Sequence, residues 1–250
     1  MHPELTIIVP TYRRPEKLDR ALGSIATATS RSHEVIVIDD CPDGSAFPVA
    51  KQHGTRYMCK GGIDRGLSYS RNIGLQLARG SCISFLDDDD IYAQGGLDRL
   101  VDQARHTRGI VFGDYLTFTT TTRSDLPLDA VDLDKLLVCN QIPVGAYVID
   151  RSAICRDFDP QLRSHEDWDF LLFHALRVPL VHVPGLTVMI DKTENSTTSN
   201  QARRRSLFWL DFISIYARYP AEHLSSARSA MLQSLGIQIP EELLRHRDII

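Results

Sequence analysis

The feature that most constrains this chain is a repeated alternation. Short β-branched apolar runs are separated by stretches whose apolar residues recur at helical spacing. Leu5-Thr6-Ile7-Ile8-Val9-Pro10, Glu34-Val35-Ile36-Val37-Ile38-Asp39 and residues 81–86 read as strands of the buried type. Between the first two, Leu18, Ala21, Leu22 and Ile25 fall on one helical face, and Pro15 suits a first turn. A short strand at residues 56–58 and a helical pattern through Ile73, Leu77 and Ala78 precede the third run. A helix at 97–105 and a strand at 109–118 follow. Strands alternating with helices imply βαβ units, so the expected class is α/β with a mostly parallel central sheet flanked by helices.

Beyond residue 118 the pattern changes. Thr119-Thr120-Thr121-Thr122 and the residues after it read as a hairpin tip or a mobile loop. A strand is expected at 144–150, an apolar helix at 166–177, and a strand at 181–190 interrupted by Pro184-Gly185. Residues 191–201 are polar and loop-like, and 191–200, without an apolar period, are expected to form a lid that orders over a ligand. A helix at 203–219 and a helical tail complete the chain. Its 250 residues suit one large α/β domain, or one domain with a modest appendage.

The formal net charge of -4 lacks the basic imbalance of a nucleic-acid binder, so no such partner is expected. Five cysteines, widely spread and without CxxC spacing, read as free thiols in a reducing compartment. The N-terminal residues show no signal-peptide pattern, and no apolar stretch approaches the roughly 20 residues of a membrane span. The expected location is the cytoplasm, with peripheral contact at the inner face of the membrane left open.

Ligands of open α/β sheets sit beyond the carboxyl ends of the strands. The first strand runs into Pro10-Thr11-Tyr12-Arg13-Arg14, the second into Asp39-Asp40, and the third into Asp87-Asp88-Asp89-Asp90. Four adjacent carboxylates repel one another unless a cation neutralises them. Mg²⁺ and Mn²⁺ prefer oxygen ligands and bridge carboxylates to substrate phosphates. An acidic run is usually a solvated turn, but this one closes a buried strand, which favours a metal–diphosphate site. At the shared rim Asp39 or Asp40 has the chemistry to accept a base N–H or a ribose hydroxyl, and Tyr12 to cover a base. The Gly61-Gly62 loop leads into a helix start bearing Arg65 and Arg71, donors suited to a phosphate or a base. It lacks the Gly-Lys-Ser/Thr ending of a P-loop. His165-Glu166-Asp167-Trp168-Asp169 opens an apolar helix. Carboxylates there are ordinary dipole partners, or they face an acceptor as a general base.

Five segments, in order, resemble glycosyltransferase family 2 of the GT-A fold. They are residues 6–12, residues 35–40, Ser70-Arg71-Asn72-Ile73-Gly74, residues 85–90 and Glu166-Asp167-Trp168-Asp169. The resemblance covers about residues 4–190. It implies an inverting transferase of the hexosyltransferase type with a Rossmann-like sheet, moving a sugar from a nucleoside diphosphate sugar, UDP favoured, to a hydroxyl acceptor. It places Pro10, Thr11, Tyr12, Arg14, Asp39, Asp40, Arg71, Asp87 and Asp88 at the nucleotide-sugar. It places Asp89 and Asp87 at a divalent cation, Mn²⁺ or Mg²⁺, and makes Asp167 the catalytic base. The acceptor it implies is a glycan, a lipid-linked or a small-molecule hydroxyl. It divides the chain into a transferase domain at 1–200, with a nucleotide half to about 118 and an acceptor half beyond it, and a helical extension at 201–250. Two rival readings are a sugar-nucleotidyltransferase, which wants a Gly-rich basic signature after the first strand, and a non-catalytic nucleotide-sugar-binding relative. Residues 201–205 only half match the QxxRW of processive synthases.

The segment 203–219 is too apolar for a helix with a wide solvated face. It must bury against the chain's own core, against a second copy in a homodimer, or shallowly into an anionic lipid surface.

Overall fold

The computed structural model describes residues 2–63, 66–126, 131–162, 164–193 and 205–237, leaving aside the side chains of 125–126 and 205–209. Arg65 and most of the expected lid, 194–200, lie outside the described residues, as do Arg203 and Arg204.

The first half is the expected βαβ weave. Strand β1 (Leu5–Thr11) is buried along its whole length, helix α1 (Pro15–Ala28) covers it, and β2 (His33–Asp39) pairs with it in parallel. Helix α1 buries Leu18, Ala21, Leu22 and Ile25, the face its spacing marked out. A short helix α2 (Phe47–Gln52), which periodicity did not disclose in six residues, leads to β3 (Arg56–Cys59) beside β2. Helix α3 (Leu67–Leu77) then crosses to β4 (Cys82–Phe85), which pairs in parallel with the other edge of β1. Gly74 lets α3 press onto β1: a Cβ there would lie 2.4 Å from Ile8 Cγ2.

The second half turns the sheet from parallel to mixed. After β5 (Ile91–Tyr92) and α4 (Asp98–Thr107), strand β6 (Ile110–Phe118) forms a hairpin with β7 (Arg123–Leu126), so Thr119 and Thr122 are a hairpin tip. A six-residue helix α5 (Leu133–Val138) and a 3₁₀ turn precede β8 (Tyr147–Asp150), which pairs antiparallel with both β4 and β6. Helix α6 (Glu166–Ala175) leads to β9 (Leu180–Asp191). Pro184-Gly185 does not end β9. The ladder slips there in a bulge, and Asp114 accepts the Gly185 N–H at 2.7 Å. The strand order is β3-β2-β1-β4-β8-β6-β9-β5, with β7 beside β6.

Two more helices follow, α7 (Arg205–Arg218) and α8 (Ser225–Ser234). Part of the apolar face of α7 goes to the chain's own core, while Leu210 stays exposed. Phe212, Ile215 and Tyr216 are buried, and Phe212 and Tyr216 pack on the fully buried Trp168 of α6 with ring centroids 4.9 and 6.1 Å away. Among the described residues no helix is long and apolar enough to cross a membrane.

Candidate active site

The carboxyl ends of β1, β2 and β4 converge on one rim, as parallel pairing requires. A cleft of about 1050 Å³ opens there. It is lined by Pro10, Thr11, Tyr12 and Arg14 after β1, Asp40 after β2, Asp87, Asp88 and Asp89 after β4, residues 66–70 at the start of α3, and Pro160, Gln161, Leu162 and Glu166. Eight of the residues singled out from the sequence therefore share one wall. Asp39, Arg71 and Asp167 do not line it, and each has a different surrounding.

Asp39 is fully buried and holds the loop behind the cleft. It accepts from Cys41 N at 2.9 Å, Ala46 N at 3.2 Å and the Tyr57 hydroxyl at 2.9 Å. Asp40 is the member of the pair that reaches the rim. One of its oxygens accepts from Gly66 N at 2.9 Å and the other meets the buried Lys60 ammonium at 3.1 Å. Gly66 has φ 116°, a backbone that glycine adopts without strain, and this aims its N–H back at Asp40. Lys60 gave no motif signal, because a lone lysine in a loop carries none until the fold brings it to a carboxylate. Tyr12 is 45% exposed, with the Arg13 guanidinium over its ring 5.3 Å from the centroid.

The aspartate run divides by environment. Asp88 is buried and accepts from Thr11 Oγ1 at 2.7 Å, with Arg14 3.0 Å away. Burial pushes its pKa up to about 6 against the pull of Arg14. Asp90 is buried behind the cleft, accepts the Asp191 N–H at 3.0 Å, and is pushed well up by burial and then by Asp87 and Asp89. Asp87 and Asp89 flank these on the cleft side. Asp87 Oδ1 meets Arg71 at 2.8 Å, and Asp89 Oδ2 meets Arg14 at 2.7 Å and Lys17 at 3.7 Å. Each has a second oxygen with no hydrogen bond to a described residue. Among the described residues no three His, Cys, Asp or Glu side chains converge on one point. This donor set fits a hard cation that takes one or two carboxylates from the protein and fills its shell from phosphate and water.

Arg71 is buried between the two halves of the site. One guanidinium nitrogen meets Asp87 and the other meets Glu166 Oε1 at 2.6 Å. Burial works against its charge, but Asp87 and Glu166 overcome this and hold it protonated. The SRN segment thus ties the aspartate run to the start of α6, a bridge that spacing could not disclose. Asp167 Oδ1 accepts from Trp168 N at 2.8 Å and Oδ2 from Asn140 Nδ2 at 3.1 Å. Burial raises its pKa, and Arg71 pulls it back. Two buried donors beside it, Arg71 Nε and Tyr147 Oη, have no hydrogen-bond partner among the described residues, which is rare in an interior.

Both the sequence and the fold are similar to those of known proteins. The family model described as Glycosyl transferase family 2 matches residues 6–148. The chain belongs to glycosyl transferase family 2. Within the family it is 32% identical over 119 residues, 46% of its length, to a GalNAc(5)-diNAcBac-PP-undecaprenol beta-1,3-glucosyltransferase of Campylobacter jejuni. The chain spans 38% of that relative's length, and 60% and 17% of the length of two other relatives it matches. Two solved structures superpose on nearly the whole family 2 chain. Staphylococcus aureus TarS 1-349 in complex with UDP-GlcNAc has a TM-score of 0.70 at 17% identity, covering 97% of this chain and 78% of the other. A Pyrobaculum calidifontis mannosyltransferase in complex with GDP-Man and Mn²⁺ has a TM-score of 0.65 at 16% identity, covering 87% and 64%. These likenesses establish the fold as GT-A.

Proposed function

We propose that this chain is an inverting glycosyltransferase that moves a sugar from a nucleoside diphosphate sugar, UDP favoured, to a hydroxyl acceptor. The observation that carries the reading is the joining of two acidic centres by one buried cation. Arg71 links Asp87, on the wall of a nucleotide-sized cleft, to Glu166 at the head of the helix that bears Asp167.

In this reading Tyr12 and Asp40 take the base, and Thr11, Arg14 and Asp88 take the ribose and phosphate side. Asp89 and Asp87 would hold a divalent cation, Mn²⁺ or Mg²⁺. Bound there, it would neutralise charge on the departing diphosphate. Asp167 removes the proton from an acceptor hydroxyl as that oxygen attacks the anomeric carbon. Burial raises its pKa, which makes the carboxylate a stronger base, and such help is typically worth about 10²–10⁴ in rate. The acceptor is a glycan, a lipid-linked or a small-molecule hydroxyl; the Campylobacter relative's name carries an undecaprenol-linked glycan. The UDP-GlcNAc and Mn²⁺ complexes of the two GT-A neighbours support a nucleotide-sugar donor and a divalent ion. Retention of both the aspartate run and Asp167 speaks against a non-catalytic relative, and Val9-Pro10-Thr11-Tyr12 against a nucleotidyltransferase.

A thermal-shift titration with UDP, dTDP and GDP, with and without Mn²⁺, tests the donor site, because a ligand that binds the native state raises its apparent stability. UDP with Mn²⁺ should give the largest rise. Asp89→Ala should lose the Mn²⁺-dependent part while its circular dichroism stays unchanged. An unchanged UDP affinity with Mn²⁺ in that variant removes the metal assignment.

A further inference from the structure

The geometry points to Asn140 as the residue that positions Asp167, with the C-terminal helices holding Asn140 in place. The inference rests on the reading of Asp167 as the base. Asn140 Nδ2 donates to Asp167 Oδ2 at 3.1 Å. Its own Oδ1 accepts from Ile142 N at 3.2 Å. With the carbonyl end engaged by a backbone N–H, the amide cannot flip, and only its donor end faces the carboxylate. Trp168 N takes the other Asp167 oxygen at 2.8 Å, so the carboxylate plane is held from two sides. Two donors on one carboxylate favour its ionised form.

Asn140 stands two residues past the end of α5, so its position depends on how that helix ends. A helix leaves its last four carbonyls without intrahelical partners. In α5 the carbonyl of Lys135 takes the Cys139 N–H at 3.0 Å. Those of Leu136, Leu137 and Val138 are each met by a side chain: Trp168 Nε1 at 2.7 Å, Arg228 Nε at 3.0 Å and the Tyr216 hydroxyl at 2.6 Å. Arg228 is buried, lies over the Tyr216 ring at 4.3 Å, and also donates to Tyr219 O at 2.7 Å. Helices α7 and α8, outside the stretch matched by the family model, thus clamp the end of α5 and through it the partner of Asp167.

The test follows the carboxyl ¹³C signal of Asp167 against pH in the ligand-free protein, identified by its loss in Asp167→Asn. Arg71, Asp87, Glu166 and Tyr147 also act on this carboxyl, and all stay unchanged in the variants. Asn140→Leu removes the donor at similar size and should raise the Asp167 midpoint by about 1 pH unit. Asn140→Asp should raise it further. Arg228→Met should move it in the same direction by less. With UDP-GlcNAc, Mn²⁺ and water as the acceptor, Asn140→Leu should lower kcat for hydrolysis about tenfold and leave the donor KM within twofold. An unmoved Asp167 midpoint in a folded Asn140→Leu protein overturns the inference, whether or not UDP-GlcNAc is turned over. A parallel rise in donor KM and fall in Tm also overturns it, since that is a structural effect. If Asp167→Asn hydrolyses at the wild-type rate, the base reading falls. If it is inactive beside an unaffected Asn140→Leu, only the positioning role falls.

Discussion

Arg71 is 1% exposed and holds Asp87 on one side and Glu166 on the other. Removing one partner of a buried ion pair leaves an uncompensated charge and typically costs about 3–5 kcal/mol. Arg71→Met should therefore lower the unfolding free energy measured by urea titration by an amount in that range and weaken UDP binding as Asp87 loses its anchor. A stability within 1 kcal/mol of wild type would mean that Asp87 and Glu166 are not charged together. His165 offers a pH test. It caps α6 at φ 60°, and its ring lies 4.7 Å from that of Phe212. Burial pushes its pKa down to about 4, against the pull of Asp211 and Glu166. In the unfolded chain it titrates near 6.5. Below that pH the unfolded state takes up a proton that the native state refuses, so the contribution is complete above 6.5 and is lost as pH falls toward 4. Asn tolerates the left-handed backbone and does not titrate. Wild type should thus lose about 1–2 kcal/mol relative to His165→Asn between pH 7.5 and 5, read from urea midpoints at each pH.

At the scale of elements, the site depends on how closely α3 lies on β1. Helix α3 carries Arg71 and follows directly on Gly66, whose N–H meets Asp40. A Cβ at Gly74 would stand 2.4 Å from Ile8 Cγ2 and 3.0 Å from Cγ1. Overpacking of this kind typically costs about 1–3 kcal/mol. Gly74→Ala should lower Tm and weaken UDP binding together, because lifting α3 moves Arg71. Ile8→Ala should cost less in the Gly74→Ala background than in the wild type, because the added methyl then occupies the space that Ile8 leaves. Additive losses in the double variant would show that the strain is not relieved at that contact.

For the whole molecule, the C-terminal helices complete the core. Phe212 is buried against Trp168 and His165. Phe212→Ala should cost about 3–5 kcal/mol with no change in molar mass by light scattering. A change of molar mass at unchanged stability would instead place α7 at a subunit interface. The sequence left three partners open for residues 203–219, and Phe212, Ile215 and Tyr216 take the first of them, the chain's own core, while Leu210 of the same helix is exposed.

Local chemistry made much of this protein legible. Parallel strands had to be β-branched and continuous, and α1 had to show its apolar stripe, because each buries its residues against one surface whatever lies beyond. The rim residues at the ends of β1, β2 and β4 followed from the rule that parallel strands bring their carboxyl ends together. Elements of two to six residues, such as β5, α2 and α5, escaped notice because they are too short to display a period. Tertiary structure alone decided the partners. It turned Asp39 inward and Asp40 outward, set Lys60 under Asp40, and threaded Arg71 between Asp87 and Glu166. These contacts join residues as much as 95 positions apart, and no local pattern encodes which distant charge will neutralise a buried one.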